Sequence, residues 1–559
     1  RVFLFSTFIA RSSSKNPHLI ADLYQSHDLH RSYVRGEYNR RHFTRLTAVE
    51  DIEKLSFLLR ELRCREMVRI AFRDLMGLAD LDETLESLSS LADRMLDVAT
   101  DMAVRILEPR FGVVRDADGN RVPLVILGMG KLGGRELNLS SDIDLIFLYP
   151  KDGETDGGKR VSAQEYFGRL SRQVIALLDE TTVDGFVFRI DTRLRPFGES
   201  GPPVVSFGAL ESYLLQHGRD WERYAYVKAR VVGPYPGDEV VADLNDNLIR
   251  PFVFRRYIDY GVFQSLREMH AMIEAEVQRR ELRENVKLGP GGIREAEFVV
   301  QSLQLVRGGN DPALQARELQ DVLPLLIGNR GLTAEGAGEL RAGYRFLRRV
   351  ENFIQAIRDR QTHDLPGEEP DRARLALAMG YPDWDALYAD IRMHRDAVAG
   401  QFDQVAFRER DSDAPFLTRV ARAWEAGADA AAWSALLAEE DVPGAQQIAD
   451  RLVGFTQEMA VKQIDAVSRE RLGQFVPRLV MAVAQSEQPE PALVRTLAIV
   501  ERVLRRSAYL SLLNENRGAL ARLVELCGRS TYVADEIARY PVLLDELLDP
   551  GVYSEAVTR

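Results

Sequence analysis

"GMGKLGGRELNLSSDIDLIF", residues 128–147, sets Asp142 and Asp144 in an otherwise apolar run just after a glycine-rich turn. In a strand, residues two apart share a face, so both carboxylates project together while Ile143, Leu145, Ile146 and Phe147 supply the apolar remainder. Two like charges that close repel, and burying either one unpaired is costly unless something positive lies between them. A divalent cation answers both demands.

Gly128, Gly130 and Gly133 spell G-x-G-x-x-G after the apolar run "VPLVIL" at 122–127. A dinucleotide fold needs a crossover helix after the third glycine and an acid about 20 residues on. The stretch "GRELNLSS" before Asp142 is too short for that crossover. A P-loop is excluded because Gly134-Arg135 stands where Gly-Lys-Ser/Thr is required, and an EF-hand because Phe147 takes the place of the turn glycine. What is left is a glycine turn that lets backbone N–H groups approach phosphate, followed by an acid-apolar-acid strand. Oxygen ligands of this kind suit Mg²⁺, and paired ions of this type clamp the attacking and leaving oxygens of a displacement at phosphorus.

That chemistry calls for a third carboxylate. Asp191 in "GFVFRIDTRLRPFGESGPP" is the next acid on an alternating stretch, with Arg193 and Arg195 on the same parity, placed to pair with phosphate oxygens. Trp221, Tyr224 and Tyr226 in "DWERYAYVKAR" suit core packing better than adenine stacking, and Lys228 and Arg230 are candidates to face a nucleotide. Glu295 and Glu297 in "KLGPGGIREAEF" read as ordinary acids in a first helical turn. The arginine-rich "RSYVRGEYNRRHFTR" reads as a solvated surface.

The 559 residues exceed what one core supports, and a net charge of −12 argues against a nucleic-acid-coating protein. Only Cys64 and Cys527 are present, so no disulfide framework is expected and a reducing cytoplasm fits. The start "RVFLFSTFIARSSSK" lacks an A-x-A-like cleavage site, and no apolar stretch is long enough to span a bilayer. At an offset of 524, residues 6–23 fall on 530–547 with Ser6/Ser530, Thr7/Thr531, Ala10/Ala534, Pro17/Pro541, Leu19/Leu543 and Leu23/Leu547 identical. This echo implies a repeated unit, with a second copy just beginning and a natural protein nearly twice as long.

A carboxylate triad behind a glycine turn is the signature of the nucleotidyltransferase superfamily. The motifs "GMGKLGGRELNLSSDIDLIF", "RLRPFGESGPP", "GRDWERYAYVKAR", "RPFVFRRYIDYGVFQSLREM", "KLGPGGIREAEFVVQ" and "RYPVLLDELLDP" together resemble the bifunctional glutamine synthetase adenylyltransferase/adenylyl-removing enzymes. In that family two nucleotidyltransferase units lie in tandem. The first removes AMP from a tyrosine of glutamine synthetase with phosphate, giving ADP; the second attaches AMP from ATP. "ELN" with "SSDID" is similar to the removing unit, so the resemblance implies the removing half plus a connector.

The same resemblance implies Asp142, Asp144 and Asp191 as catalytic Mg²⁺ ligands. It implies Gly133, Gly134, Ser141, Arg193, Arg195 and Lys228 on the nucleotide and phosphate side. Glutamine synthetase and a PII-type signal protein are the implied partners, with no nucleic acid and no membrane. The expected fold is α+β: a small nucleotidyltransferase-type α/β domain (121–235) embedded in a mostly helical chain. Around it are expected an N-terminal helical region (1–120), a helical bundle (236–412), a connector (413–520) and the start of a truncated second unit (521–559). Two other readings stand beside removal: transfer of AMP from ATP onto glutamine synthetase, and a regulatory module that senses glutamine or the signal protein.

Overall fold

Ser6, Asp51 and Asp80 each stand ahead of a stretch with helical apolar period. Each side chain accepts a hydrogen bond from the backbone N–H three residues on. These caps start helices α1 (Thr7–Lys15), α3 (Ile52–Leu75) and α4 (Leu81–Phe111). Helix α2 (Pro17–Gln25) opens on Pro17, where a missing N–H costs nothing. The long helices are those the spacing of apolar residues predicts over 45–108.

In the computed structural model the described residues are 1–33, 37, 43, 46–255, 279, 282–328, 331–406, 415–440, 442–458, 466–504, 509–510, 513–514 and 517–548. Most of "RSYVRGEYNRRHFTR" and the end of "RPFVFRRYIDYGVFQSLREM" fall outside them, as does the chain beyond 548. The chain divides into two units, residues 1–256 with 265–407, and residues 408–559 with 257–264.

The first unit holds the sheet. Strand β1 (Val125–Gly128) is buried at every position, and α5 (Gly130–Gly133) is a single turn after it. Strand β2 (Ile143–Tyr149) is buried except at Asp144. Helix α6 (Ala163–Asp179) crosses over to β3 (Ile190–Asp191), and then come β4 (Val204–Ser206), α7 (Phe207–His217), α8 (Asp220–Tyr226) and β5 (Arg230–Val232). Strand order is β3-β2-β1-β5, and β4 also pairs with β2. The pairs β1/β2 and β1/β5 are antiparallel, whereas β3 and β4 run parallel to successive stretches of β2.

Two expectations need correction. The strand expected at 122–127 starts three residues later. The alternation expected through "RIDTRLRP" stops at Asp191, because Arg195 folds back in a turn, its N–H donating to Thr192 O at 3.2 Å. Pro196 then removes a further donor, and the chain cannot continue the ladder.

Helices α9 (Ile293–Arg307), α10 (Ala334–Arg358), α11 (Glu369–Met379) and α12 (Trp384–Ala406) complete the first unit. Helix α10 is stapled to the segment after α5. Arg348, fully buried, donates to Glu136 O (2.5 Å), Asn138 Oδ1 and Tyr344 Oη (2.7 Å), and Ser140 N donates to Gln355 Oε1 (2.9 Å). Truncating a buried charge of this kind strands its partners and costs about 3–5 kcal/mol.

The second unit is helical throughout its described residues: α13 (Pro415–Glu425), α14 (Ala430–Ala438), α15 (Ala445–Gln457), α16 (Ala466–Ala484), α17 (Pro489–Val503), α18 (Arg517–Arg529) and α19 (Thr531–Arg539). Its core is one cluster that includes Trp433, Phe455, Phe475, Leu497 and Leu523. The repeat echo has a local counterpart. Ser530 caps α19 through Val533 N (3.2 Å) as Ser6 caps α1 through Ile9 N (3.1 Å), and Pro541 opens the next turn as Pro17 does. No helix among the described residues is long and apolar enough to cross a membrane.

Candidate active site

Parallel pairing of β2 with β3 sets Asp144 in register with Asp191, and Asp142 stands one residue ahead of β2. All three line one cavity of about 600 Å³. Burial first, then the neighbouring charges of Asp191 and Asp142, push the Asp144 carboxyl up to about 6, although Lys287 and Lys131 partly offset this. Asp142 and Asp191 are held differently. Asp142 accepts from Arg189 Nε (2.6 Å) and Gln361 Nε2 (2.7 Å). Asp191 accepts from Arg193 Nε (2.9 Å) and Arg193 N (2.8 Å), and these bonds hold its carboxyl below the usual range.

Hard carboxylate oxygens repelling one another at one wall are a donor set suited to Mg²⁺. Among the described residues no three acidic or histidine side chains already stand at coordinating geometry.

Gly133 and Gly134 lie in close backbone packing. A Cβ at Gly133 would lie 1.9 Å from Lys228 O and 2.6 Å from Gly128 O, and one at Gly134 would lie 3.1 Å from the Lys228 side chain. Both glycines are buried and outside the cavity lining. They let the turn pack against the backbone beside β5. The glycine facing the cavity is Gly130, at φ +52°, whose absent Cβ would sit 2.9 Å from Asp144 Oδ2.

Arg195 also leaves the site. It donates to Thr192 Oγ1 (2.7 Å), Thr192 O (3.0 Å) and Glu199 O (3.2 Å), shaping the loop after β3. Arg193 and Ser141 line the cavity.

Lys228 lines the cavity too, but its ammonium is committed to Glu136 (2.6 Å) and Glu297 (3.2 Å). Burial works against its charge; those two carboxylates outweigh burial and keep it protonated. Glu297 is drawn down to about 2, burial being overcome by Lys228, Lys131 and Arg348. Arg230 points away, pairing with Asp93 (3.0 Å) and with Gly133 O. Trp221, 42% exposed, and Tyr224 line the cavity, whereas Tyr226 is buried edge-on against Phe252. Lining residues that the sequence did not single out include Lys131, Lys287, Gln361 and His363. Lys131 sits inside the glycine turn and Lys287 opens "KLGPGGIREAEF".

Residues 1–243 match the model of the glutamate-ammonia ligase adenylyltransferase family, and residues 267–406 match that of the PII-uridylyltransferase family. The chain is 44% identical over 98% of its length to a bifunctional glutamine synthetase adenylyltransferase/adenylyl-removing enzyme of Thioalkalivibrio sulfidiphilus, covering 57% of that protein. It is similar to enzymes of the same name from Nitrosococcus oceani (45% identity, 98% of this chain, 56% of the relative) and Pseudomonas aeruginosa (44%, 99% and 57%). The chain thus spans about half the length of the curated relatives it matches.

Proposed function

Since the chain belongs to the family of bifunctional glutamine synthetase adenylyltransferase/adenylyl-removing enzymes, we propose that its cavity removes AMP from adenylylated glutamine synthetase by phosphorolysis. The observation that carries this reading is the meeting of Asp142, Asp144 and Asp191 at one cavity wall, two of them side by side across parallel strands. A hydrogen phosphate oxygen attacks the phosphorus of the AMP–tyrosine diester in line with the tyrosyl oxygen. The new O–P bond gives ADP, the tyrosyl O–P bond breaks with its electron pair passing to oxygen, and the phosphate proton ends on the tyrosine.

Asp142, Asp144 and Asp191 would hold Mg²⁺, which when bound neutralises charge on the transferring group. Lys228, held between Glu136 and Glu297, is a fixed part of the lining and not free to move. Trp221 and Tyr224 offer aromatic surface at the mouth for a base or a tyrosine ring.

Removal is favoured over addition by the "ELN…SSDID" form of the motif, which is similar to the removing unit of the family. A cytoplasmic setting and response to a PII-type signal protein belong to the same reading. The deciding experiment supplies adenylylated glutamine synthetase, Mg²⁺ and phosphate and separates the nucleotides by chromatography. ADP is the expected product. Pyrophosphate released from ATP with unmodified glutamine synthetase would instead establish transfer, and neither product would leave a regulatory role alone.

A further inference from the structure

The cavity lining also carries two lysines that the reaction above leaves unassigned, Lys131 on α5 and Lys287 in the loop before α9. Lys131 follows Gly130, whose backbone lies directly against Asp144. Its Nζ is 2.9 Å from Glu351 Oε1, and this fully buried carboxylate also touches Arg348 Nε (3.2 Å) and His363 Nδ1 (2.7 Å). One carboxylate thus serves three basic groups, and Lys131 is not fully neutralised.

Lys287 is placed by its backbone. Its own N–H and that of Leu288 donate to Asn285 Oδ1 (3.1 and 2.8 Å), Asn285 Nδ2 reaches Asp364 (2.8 Å), and Val286 N donates to His363 O (2.8 Å). Gly289, Gly291 and Gly292 hold the next turn where any Cβ would strike backbone. Among the described residues the Lys287 ammonium has no ion-pair partner. Each lysine acts on Asp144 and on Glu297, and Lys287 opposes the charge of Lys131, which burial already lowers to about 7. Two lysines lining one cavity, one of them without an ion-pair partner among the described residues, offer N–H donors and positive charge to an anion.

A doubly charged phosphate that attacks beside three carboxylates needs compensating cations on its own side. Lysine, a compact charge with three donors, suits a tetrahedral anion. We propose that Lys131 and Lys287 form the subsite that receives the attacking inorganic phosphate. The assignment rests on the phosphorolytic reading. The phosphates of a nucleotide share the chemistry, so inorganic phosphate and ADP are tested in separate arms.

The experiment compares the intact chain with Lys287→Gln and Lys287→Arg. In turnover of adenylylated glutamine synthetase, Lys287→Gln is expected to raise the KM for phosphate about tenfold or more, the usual effect of losing one charged hydrogen bond. The KM for the protein substrate should stay within about twofold, and Lys287→Arg should recover most of the loss. A phosphate KM that does not move, or that moves together with the protein KM, overturns the proposal.

Calorimetry with inorganic phosphate alone gives a readout independent of turnover. Binding by the parent chain that Lys287→Gln weakens supports the subsite even if no ADP is ever formed, in which case only the phosphorolytic reading falls. Loss of ADP binding with phosphate binding unchanged overturns the subsite and assigns the lysines to the nucleotide.

Discussion

Asp144 carries the strain of the site. Its carboxyl titrates near 6 rather than at the ordinary 3.8, because burial and the charges of Asp191 and Asp142 disfavour ionisation. Between about pH 4 and 6 the folded chain therefore binds more protons than the unfolded one, so metal-free stability falls as pH rises through that window. Asp144→Asn removes the cost. In EDTA it should stabilise the protein by about 1–3 kcal/mol at pH 7.5 and by little at pH 4.5, measured by urea unfolding, while ADP formation is lost. A variant equally stabilised at both pH values would show that the neighbouring charges are not the cause. The pair Asp142 and Asp144 was legible because strand parity is written in the sequence, whereas Asp191 was placed by an alternation that its two-residue strand does not sustain. Lys287, Gln361 and His363 were not legible, since they arrive from segments far along the chain and only tertiary packing brings them to the cavity.

The glycine turn shows what spacing cannot decide. A missing Cβ makes room equally for a ligand or for another backbone, and Gly133 and Gly134 serve the second purpose although their pattern suggests the first. Gly133→Ala would drive a methyl group to within 1.9 Å of Lys228 O and should destabilise the first unit by about 3 kcal/mol or more in urea unfolding. Gly158→Ala, with nothing within 4 Å, is the matched control and should be near neutral. If the two variants unfold alike, the close approach of the α5 turn to the backbone beside β5 is not rigid. The long helices α4 and α10 were legible for the opposite reason: they carry many turns of apolar period, which a local competitor cannot easily override. Strand β3 spans two residues, too few for any periodic signal, and "RIDTRLRP" alternates well past the point where Pro196 and the Arg195 turn end the pairing.

Among the described residues, those lining the cavity around Asp144 fall between 130 and 363, and those of the second unit's buried cluster fall between 416 and 544. Cavity and second core are thus separate in sequence. The echo between residues 6–23 and 530–547 lies at the far end of that second core, where Ala534 and Ile537 are buried in the cluster. A fragment of residues 408–559 holds a complete set of apolar partners, among them Phe455, Phe475, Leu479, Leu497, Val500 and Leu523, all fully or almost fully buried. A chain of that size burying a continuous core normally folds cooperatively without help. Expressed alone, the fragment should give a helical circular dichroism spectrum and a single sigmoidal urea transition, and it should form no ADP from adenylylated glutamine synthetase. A broad, non-cooperative transition would show that this cluster does not make an independently folding unit.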